Sequence, residues 1–393
     1  NEALLSSDLQ GLAIDLPAPF GKSALSKRAF LLKAAFQQGG GSGFKTQLSY
    51  GDLISAKLNI RQQQTLRLIE IDSRQVKGLI KLSYPFDAKQ AIQASLDRLV
   101  INTGNAQTLA SLDPQTVPPL IISSKQFIYG NKNMGQLSLT TLPKTKGMLI
   151  QHFNLKAPEY NFESTGQWTG SGQAQQSQLQ GTLESSKVNT LLARLGLPLR
   201  SLLVDKGNAA FSLQWKGAPY NFSVASLGGG FSFVLEKGRV INLNEADNTK
   251  VDMGRMLSLF SLQTIPRRLS LDFSDLFEKG YSFDSMRGDF SLKQGSAFTR
   301  KPAVFDGPVA RITASGRIGL LAQDYDLILS ISPYVTDSLP VVAGALTLNP
   351  FVGAAAWLVN KAVLSKSVAK VATYNYKVTG SWDTPVWKSV PSS

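Results

Sequence analysis

His152 is the only histidine in the chain of 393 residues, and histidine is the side chain most often used for acid–base chemistry near neutral pH. It stands between Gln151 and Phe153, in a run with the composition of a β-strand. A serine–histidine–acid relay needs a presented serine, and the sequence contains no Gly-x-Ser-x-Gly turn. A zinc site needs several histidine or cysteine ligands, and the chain has no cysteine. We therefore interpret His152 as an ordinary strand residue.

Asp272, Asp275 and Glu278 are spaced three residues apart, so a helix would place their carboxylates near one face. Such a group can bind a cation, but no glycine-turned, oxygen-rich loop of the calcium-binding kind surrounds these residues. Acidic residues at the start of a helix are also favoured by the helix dipole. No further feature selects a pair of carboxylates for glycoside hydrolysis. We predict neither a metal site nor a catalytic carboxylate here.

A glycine-rich segment, residues 39–43, precedes Lys45 and Thr46. Loops that hold phosphate groups end in Gly-Lys-Ser or Gly-Lys-Thr at the start of a helix, and Phe44 interrupts that pattern. Ser42 and Lys45 have the Ser-x-x-Lys spacing of some hydrolases, but so short a pattern occurs by chance. The composition is typical of a loop between two strands. We predict no catalytic residue, no metal and no cofactor, and hence no enzyme.

The composition indicates a folded protein with an anionic partner. Hydrophobic residues make up 43% of the chain and charged residues 17%, which is sufficient for a large core. The absence of cysteine excludes disulfides and thiolate chemistry. The net charge of +14 suits either nucleic acid or an anionic lipid surface. Because the basic residues are scattered singly and no nucleic-acid-binding motif occurs, we predict no nucleic-acid partner.

Residues 280–333 have the clearest secondary-structure pattern in the chain. Apolar residues such as Tyr325 and Leu327 recur at every second position, and in an extended chain such residues share one face. Asp324 and Asp326 alternate with them and mark the solvent face. Glycine and Asx clusters separate the runs at the distance of hairpin turns. The segment is predicted to be an antiparallel meander with one apolar face.

Similar alternating runs occur through most of the chain. Before residue 338, helical spacing is confined to four short segments: residues 87–99, 188–195, 253–262 and 272–278. Trp168 and Trp215 occur in similar Gln-Trp-x-Gly sequences, and Trp382 is followed by a turn and Pro385. This irregular repetition indicates an elongated sheet of recurring units.

The C-terminal region differs in composition from the rest of the chain. Residues 338–360 contain no charged residue and are long enough to cross a membrane, but Asn349 and Pro350 interrupt them. A hairpin of two shorter helices, the second amphipathic and basic, fits better than one spanning helix. The hairpin either contacts a membrane or caps the end of the sheet. The residues expected to contact a membrane are Phe351, Trp357, Leu358, Lys361, Lys366 and Lys370.

The predicted strands far outnumber the helices that could cover them. A sheet with one apolar face must bury that face, because a large exposed apolar surface is not stable in water. Either the sheet closes on itself around a dry core, or it stays open and its apolar face contacts another molecule. Acyl chains of lipids would satisfy such a face.

Eight stretches of the sequence carry a resemblance to a known family. They are residues 7–22, 181–185, 213–219, 254–262, 266–276, 280–284, 307–312 and 374–385. Among them are Leu213-Gln-Trp215-Lys-Gly217 and Pro266-Arg267-Arg268. In content and order they resemble the C-terminal part of AsmA-like bacterial envelope proteins of the YhdP type, and together they extend over nearly the whole chain.

The resemblance implies a long, twisted sheet folded into a groove with an apolar interior. It implies a bridge-like lipid-transfer protein of the periplasm, anchored in the inner membrane and carrying phospholipid toward the outer membrane. No catalytic residues are assigned in the family, so none is transferred. Because Asn1 is not a start methionine and no signal peptide precedes it, we expect this chain to be part of a longer or matured protein, with the anchor outside it.

The predicted fold is mainly β: an elongated, twisted antiparallel sheet curled into an apolar groove, with a few short helices and a C-terminal helical hairpin. Residues 1–116 are expected to form a β-groove segment with one short helix, residues 117–333 its continuation, and residues 334–393 the hairpin and a final strand. The predicted function is non-enzymatic phospholipid transport, with phospholipids and membranes as partners. The alternative is a closed β scaffold of the cell envelope without lipid. The residues expected to line the groove are Phe211, Leu213, Trp215, Phe231, Phe233, Phe283, Phe290, Leu292, Ile318, Leu320, Leu327, Leu329 and Ile331.

Overall fold

The computed structural model of the chain describes residues 2–14, 21–37, 43–61, 66–83, 85, 87–101, 112–195, 202–240, 281–308, 310–334, 373–382 and 384–391. Within these residues the chain forms twenty strands, one α-helix and two short 3₁₀ helices, Gly172–Ala174 and Val224–Ser226. The prediction of a mainly β fold with few helices is confirmed.

The chain divides into two compact units, the first comprising residues 1–183 and 211–227 and the second residues 184–210 and 228–393. The first unit contains β1 (Glu2–Ser7), β2 (Phe30–Gln37), β3 (Gly43–Tyr50), β4 (Ile54–Arg61), β5 (Leu66–Ser73), β6 (Val76–Ser83), β7 (Ile92–Ile101), β8 (Leu120–Tyr129), β9 (Lys132–Lys144), β10 (Gly147–Ala157), β11 (Tyr160–Thr169) and most of β12 (Gln176–Ser185). Strand β13 (Leu202–Lys216) contributes residues 211–216 to the first unit and residues 202–210 to the second. The second unit also contains α1 (Val188–Arg194), β14 (Gly228–Val240), β15 (Tyr281–Lys293), β16 (Ser296–Asp306), β17 (Ala310–Gly319), β18 (Asp324–Pro333), β19 (Tyr374–Ser381) and β20 (Pro385–Val390).

In the first unit, each strand from β1 to β7 pairs antiparallel with the next. Strands β7 and β8 are parallel, and the ladder then continues antiparallel to β11. Parallel neighbours cannot be joined by a tight turn, and the connection of residues 102–119 has the length that a crossover requires. Strand β1 is paired with β2 alone among the described residues, so this ladder is open at β1.

The helix predicted for residues 87–99 is wrong, because Ile92–Ile101 is strand β7. The pairing with β6 shifts by one residue, from Arg98 opposite Lys77 to Leu96 opposite Gly78. This β-bulge inserts one extra residue, so that Leu96 and Leu99 reach the same face three positions apart. The bulge therefore gives Leu96 and Leu99 the three-residue spacing typical of a helix, although β7 is a strand paired on both sides.

In the second unit, the strands from β14 to β20 pair antiparallel in chain order. The meander predicted for residues 280–333 is confirmed as β15 to β18. Tight turns join the strands at one end of this ladder, at residues 293–296, 319–324 and 381–385. The two long connections, residues 241–280 and 334–373, both leave from the opposite end, since each joins neighbouring strands there.

The two faces of the second sheet differ in character. On β18, Tyr325 and Leu327 are each 2% exposed, whereas Ile328 on the opposite face is 38% exposed and Asp326 is exposed. We call the face that carries Tyr325 and Leu327 the apolar face, and the other the polar face, and we use the same terms for the first unit. Asp324 and Asp326 lie on the polar face, as predicted.

Ion pairs between strands populate the polar face of the second unit. Arg317 donates two hydrogen bonds to the carboxylate of Asp324, both at 2.8 Å. Further pairs on this face are Arg311 with Asp306, Arg300 with Asp289 and Lys377 with Asp326. The Arg317 hydrogen bond holds the pKa of Asp324 below its ordinary value of 3.8.

Helix α1 covers part of the apolar face of the second unit. Its apolar residues fall at helical spacing, and Val188 and Leu191 are buried. The side chain of Asn189 receives a hydrogen bond from the backbone N–H of Val204, which ties the helix to β13. The prediction of a short helix at residues 188–195 is confirmed.

The predicted C-terminal helical hairpin, residues 338–372, lies outside the described residues, as do the helices predicted at 253–262 and 272–278. The C-terminal residues that the structure describes, 373–382 and 384–391, contain strands β19 and β20. None of the described helices is long and apolar enough to cross a membrane.

Gly288 leaves space for two aromatic rings on the apolar face. It lies on β15 directly opposite Phe233 of β14. A Cβ atom at residue 288 would lie 2.4 Å from the ring of Phe290 and 2.8 Å from the ring of Phe233. Neither separation is possible for real atoms, so the rings occupy the volume that a side chain would need.

Replacing Gly288 by alanine is expected to lower the free energy of unfolding of the second unit by about 1–3 kcal/mol, because the added methyl group must displace a packed ring. The comparison is Ser282→Ala on the same strand, where the side chain is exposed. Chemical unfolding of the two variants measures the difference. Equal stability of Gly288→Ala and Ser282→Ala would contradict the packing described.

The Asp324 carboxylate predicts a pH-dependent stability. Because its pKa is lower in the folded state, the stabilisation is present above the unfolded pKa and is lost as the pH falls through the folded pKa. Asp324→Asn should therefore lower the unfolding temperature at pH 7 slightly, and the difference from the unmodified chain should disappear once the pH lies below the folded pKa of Asp324. Asp284→Asn, an exposed carboxylate on β15, is the control. A deficit of the Asp324 variant that persists at low pH would contradict this origin.

Candidate functional site

The apolar face of the second unit contains an uninterrupted row of directly opposed residues. We call it the Met286 row, and it crosses six consecutive strands from β14 to β19. Its members are Leu235, Met286, Phe305, Ile312, Ile331 and Tyr374. Neighbouring strands are about 4.8 Å apart, so the row extends over roughly 24 Å. The row runs roughly perpendicular to the strands, from one strand to the next.

A second row lies parallel to it, near the tight turns. We call it the Ile318 row, and it crosses all seven strands from β14 to β20. Its members are Gly229, Leu292, Ala297, Ile318, Tyr325, Gly380 and Pro385. Between the two rows, Leu327 faces Val378 and Leu329 faces Tyr376. The rows exist because each hairpin register places like residues opposite one another.

Three phenylalanines form a stack on this face. The ring centroids of Phe231 and Phe290 are 5.3 Å apart, and those of Phe233 and Phe290 are 6.2 Å apart, with nearly parallel planes in both pairs. The rings close over Gly288. All three residues belong to the set predicted to line a groove, and the structure brings them into contact.

The other predicted lining residues of the second unit fall into two clusters. The first cluster, beneath α1, consists of Val188, Leu202, Val204, Phe283, Met286 and Phe305. The second cluster consists of Ala314, Tyr325, Leu327, Leu329, Val378 and Trp382, with Ile318 and Leu320 packed against it. Phe283 is 3% exposed and Leu329 is 2% exposed. The remaining two lie outside both clusters: Ile331 belongs to the Met286 row and Leu292 to the Ile318 row. The predicted lining residues of the second unit therefore lie on or beside one face.

In the first unit, Phe211, Leu213 and Trp215 alternate with exposed residues along β13. The ring of Phe211 stacks on Phe162 of β11, with centroids 5.5 Å apart. Trp215 is buried and donates its indole N–H to the carbonyl oxygen of Ala218 at 3.0 Å. These three residues therefore belong to the apolar face of their own unit.

Sequence reasoning missed several members of the apolar face. Met286, Phe305 and Trp387 were not among the predicted lining residues, although each lies in an alternating run. The pairing of β16 with β17 shifts between Phe298 and Ala303, and such a shift changes which residues share a face.

Only some of the residues considered for chemistry lie among the described residues. His152 is exposed on β10, opposite Thr140, at a shift in the strand pairing. Among the described residues, no three His, Cys, Asp or Glu side chains are grouped so as to hold a metal ion. Residues 272–278, and the six residues predicted to contact a membrane, lie outside the described residues.

Comparison with known proteins places this chain in a family. The family model described as "YhdP protein" matches residues 57–387. The chain is also 29% identical over 251 residues to the intermembrane phospholipid transporter YhdP of Escherichia coli (strain K12). That alignment covers 63% of this chain and 18% of the relative, so the chain spans less than a fifth of the relative's length. No solved structure matches the chain. The match over residues 57–387, most of the sequence, shows that the chain belongs to the YhdP family.

Proposed function

We propose that this chain is a lipid-binding part of a non-enzymatic phospholipid transporter, and that its apolar face binds acyl chains. The observation that carries the proposal is the Met286 row, six apolar or aromatic residues opposed across six strands. Membership of the YhdP family supports it, as does the similarity to a protein named as an intermembrane phospholipid transporter.

The chemistry of the row suits a transporter better than a fixed binding site. Burial of hydrocarbon is favourable by about 25 cal/mol per Å² and has no preferred direction. An acyl chain lying along the row would meet similar side chains at every strand. It could therefore move along the ladder with little change in free energy, because no charged or strongly polar group fixes one position.

The burial pattern suggests where an acyl chain first makes contact. Met286 and Phe305 lie beneath α1, whereas Ile312, Ile331 and Tyr374 of the same row are partly exposed. We propose that a lipid enters at the partly exposed end and that the packed side chains separate to admit it. The wider proposal is a groove that shields acyl chains across the periplasm, in a protein anchored in the inner membrane outside this chain.

A structural scaffold of the envelope is the second candidate. The near-complete burial of Leu327 and Leu329 favours it, since both are 2% exposed and so behave as core residues. Among the described residues β1 pairs only with β2, and β20 only with β19, and these unpaired edges favour the transporter, because a closed sheet leaves no free edge. The two candidates differ in whether the purified protein carries lipid.

Extraction of the purified chain with organic solvent, followed by mass spectrometry, is expected to release phospholipid in a defined ratio to protein. Purification without detergent is required, so that detergent does not replace the ligand. A mock purification from cells lacking the protein sets the background. Absence of phospholipid above that background would reject lipid transport and leave the scaffold.

Ile318→Asp is expected to reduce the bound phospholipid at least tenfold, because a carboxylate on the apolar face opposes hydrocarbon. The matched control is Ile328→Asp, the same substitution on the polar face of the neighbouring strand, where the side chain is 38% exposed. Circular dichroism checks that both variants fold. Equal lipid content in the two variants would exclude this face as the binding surface.

The basic C-terminal segment predicts membrane contact. Each lysine near an anionic surface contributes about 1 kcal/mol, so replacing Lys361, Lys366 and Lys370 by glutamine should weaken binding to phosphatidylglycerol vesicles on the order of 100-fold. Replacement of Lys144, Lys146 and Lys301, exposed lysines of β9, of the turn after β9 and of β16, is the control and gives the same net charge. Vesicle co-sedimentation measures both. Equal weakening by the two sets would mean that net charge, and not this segment, determines binding.

A further inference from the structure

The indole N–H groups of the described tryptophans divide into two kinds. Trp168 donates to the side-chain oxygen of Gln175 at 3.2 Å, Trp215 to the Ala218 carbonyl at 3.0 Å, and Trp382 to the Asp324 carbonyl at 3.2 Å. The Nε1 atom of Trp387 is also buried, but none of the described residues supplies a hydrogen-bond acceptor for it. Trp387 is therefore the exception among the four.

The unpaired indole N–H of Trp387 is energetically unfavourable when no ligand is bound. A buried tryptophan usually finds an acceptor for its N–H, and leaving a buried donor unpaired costs stability. Trp387 lies on β20 directly opposite Val378, which itself lies opposite Leu327. This places the indole on the apolar face of the second unit, at the last strand of the ladder.

The surroundings of Trp387 are mainly hydrocarbon. Its ring packs against the second cluster and meets the ring of Tyr376 edge-on, with centroids 6.1 Å apart. An internal water molecule normally needs two to four polar partners, so this environment is a poor site for water. A single acceptor oxygen attached to a hydrocarbon chain would match both the donor and the apolar groups around it.

We propose that Trp387 donates its indole N–H to an ester carbonyl oxygen of a phospholipid whose acyl chain lies on the apolar face. This inference rests on the proposed function and deepens it by naming a contact to the polar part of the lipid. An ester carbonyl fits better than the phosphate, because burying a charged phosphate beside Val378 and Leu329 without a cation would be strongly unfavourable. The phosphate would remain at the solvent-exposed edge of the sheet, at β20.

The test uses the full chain and follows the indole N–H resonances by ¹H–¹⁵N NMR. The probes are dihexanoyl phosphatidylcholine below its micelle concentration, its dihexyl ether analogue without ester carbonyls, and inorganic phosphate. Comparison with Trp387→Phe assigns the Trp387 signal. The diacyl lipid is expected to shift this signal downfield and to bind about three- to tenfold more tightly than the ether analogue, the contribution of one hydrogen bond.

Trp387→Phe should abolish the preference for the ester lipid, because phenylalanine keeps an aromatic ring and removes the donor. Trp382→Phe is the matched control, since its N–H is already bonded to Asp324, and it should keep the preference. A preference that survives in Trp387→Phe would overturn the inference, as would a Trp387 signal that ignores the diacyl lipid. A shift caused by inorganic phosphate would assign the contact to phosphate and also overturn it.

Stability of the lipid-free chain provides a second readout. Trp387→Phe loses packed ring volume but no hydrogen bond, whereas Trp382→Phe loses both, so the unfolding temperature should fall less in Trp387→Phe than in Trp382→Phe. A loss in Trp387→Phe as large as in Trp382→Phe would mean that the protein itself supplies an acceptor, and would overturn the inference.

Binding of ester and ether lipids with equal affinity rejects this inference alone. Failure of both lipids to bind, with no phospholipid extracted, rejects the proposed function as well.

Discussion

The two-residue period of an extended chain is the constraint on which this structure depends. Each strand residue points to one face or the other, so one slip in register would carry a whole strand of apolar side chains to the solvent. The registers of β14 to β19 avoid this, and they align Met286, Phe305 and Ile312 with their neighbours into a single row. The row is therefore a property of the hairpins taken together, and no single strand contains it.

The polar face stabilises the same registers from the other side. Arg317 reaches Asp324 across the hairpin of β17 and β18, and Lys377 reaches Asp326 across β18 and β19. Each pair is individually weak because it is near solvent. Together the ion pairs oppose a shift in strand register. Moving β18 by one residue would bring Tyr325 and Leu327 to the polar face and the carboxylates of Asp324 and Asp326 to the apolar face.

Much of this could be predicted from sequence, and the failures have identifiable physical causes. The meander at residues 280–333 was predictable because its period is regular and its turns contain glycine or Asx. Strand β7 was mistaken for a helix because a bulge beside Arg98 changes the spacing of Leu96 and Leu99. Which residues stand opposite one another depends on registers, and no local pattern encodes them. The unpaired N–H of Trp387 depends on the whole surroundings of one atom, so only three-dimensional coordinates could reveal it.

The order of strands in the ladders has a consequence for folding kinetics. Almost every described pairing joins strands that are neighbours in sequence, which gives short loops and a low contact order. Four closures differ: the pairing of β1 with β2 across residues 8–29, the parallel crossover from β7 to β8, and the hairpins that enclose residues 241–280 and 334–373. Their longer loops cost more entropy to close, so the local hairpins should form early and these four junctions late. Until β15 joins β14 and β19 joins β18, the edges of β14 and β18 are open to pairing with another chain, so these two junctions expose a nascent molecule to misassembly.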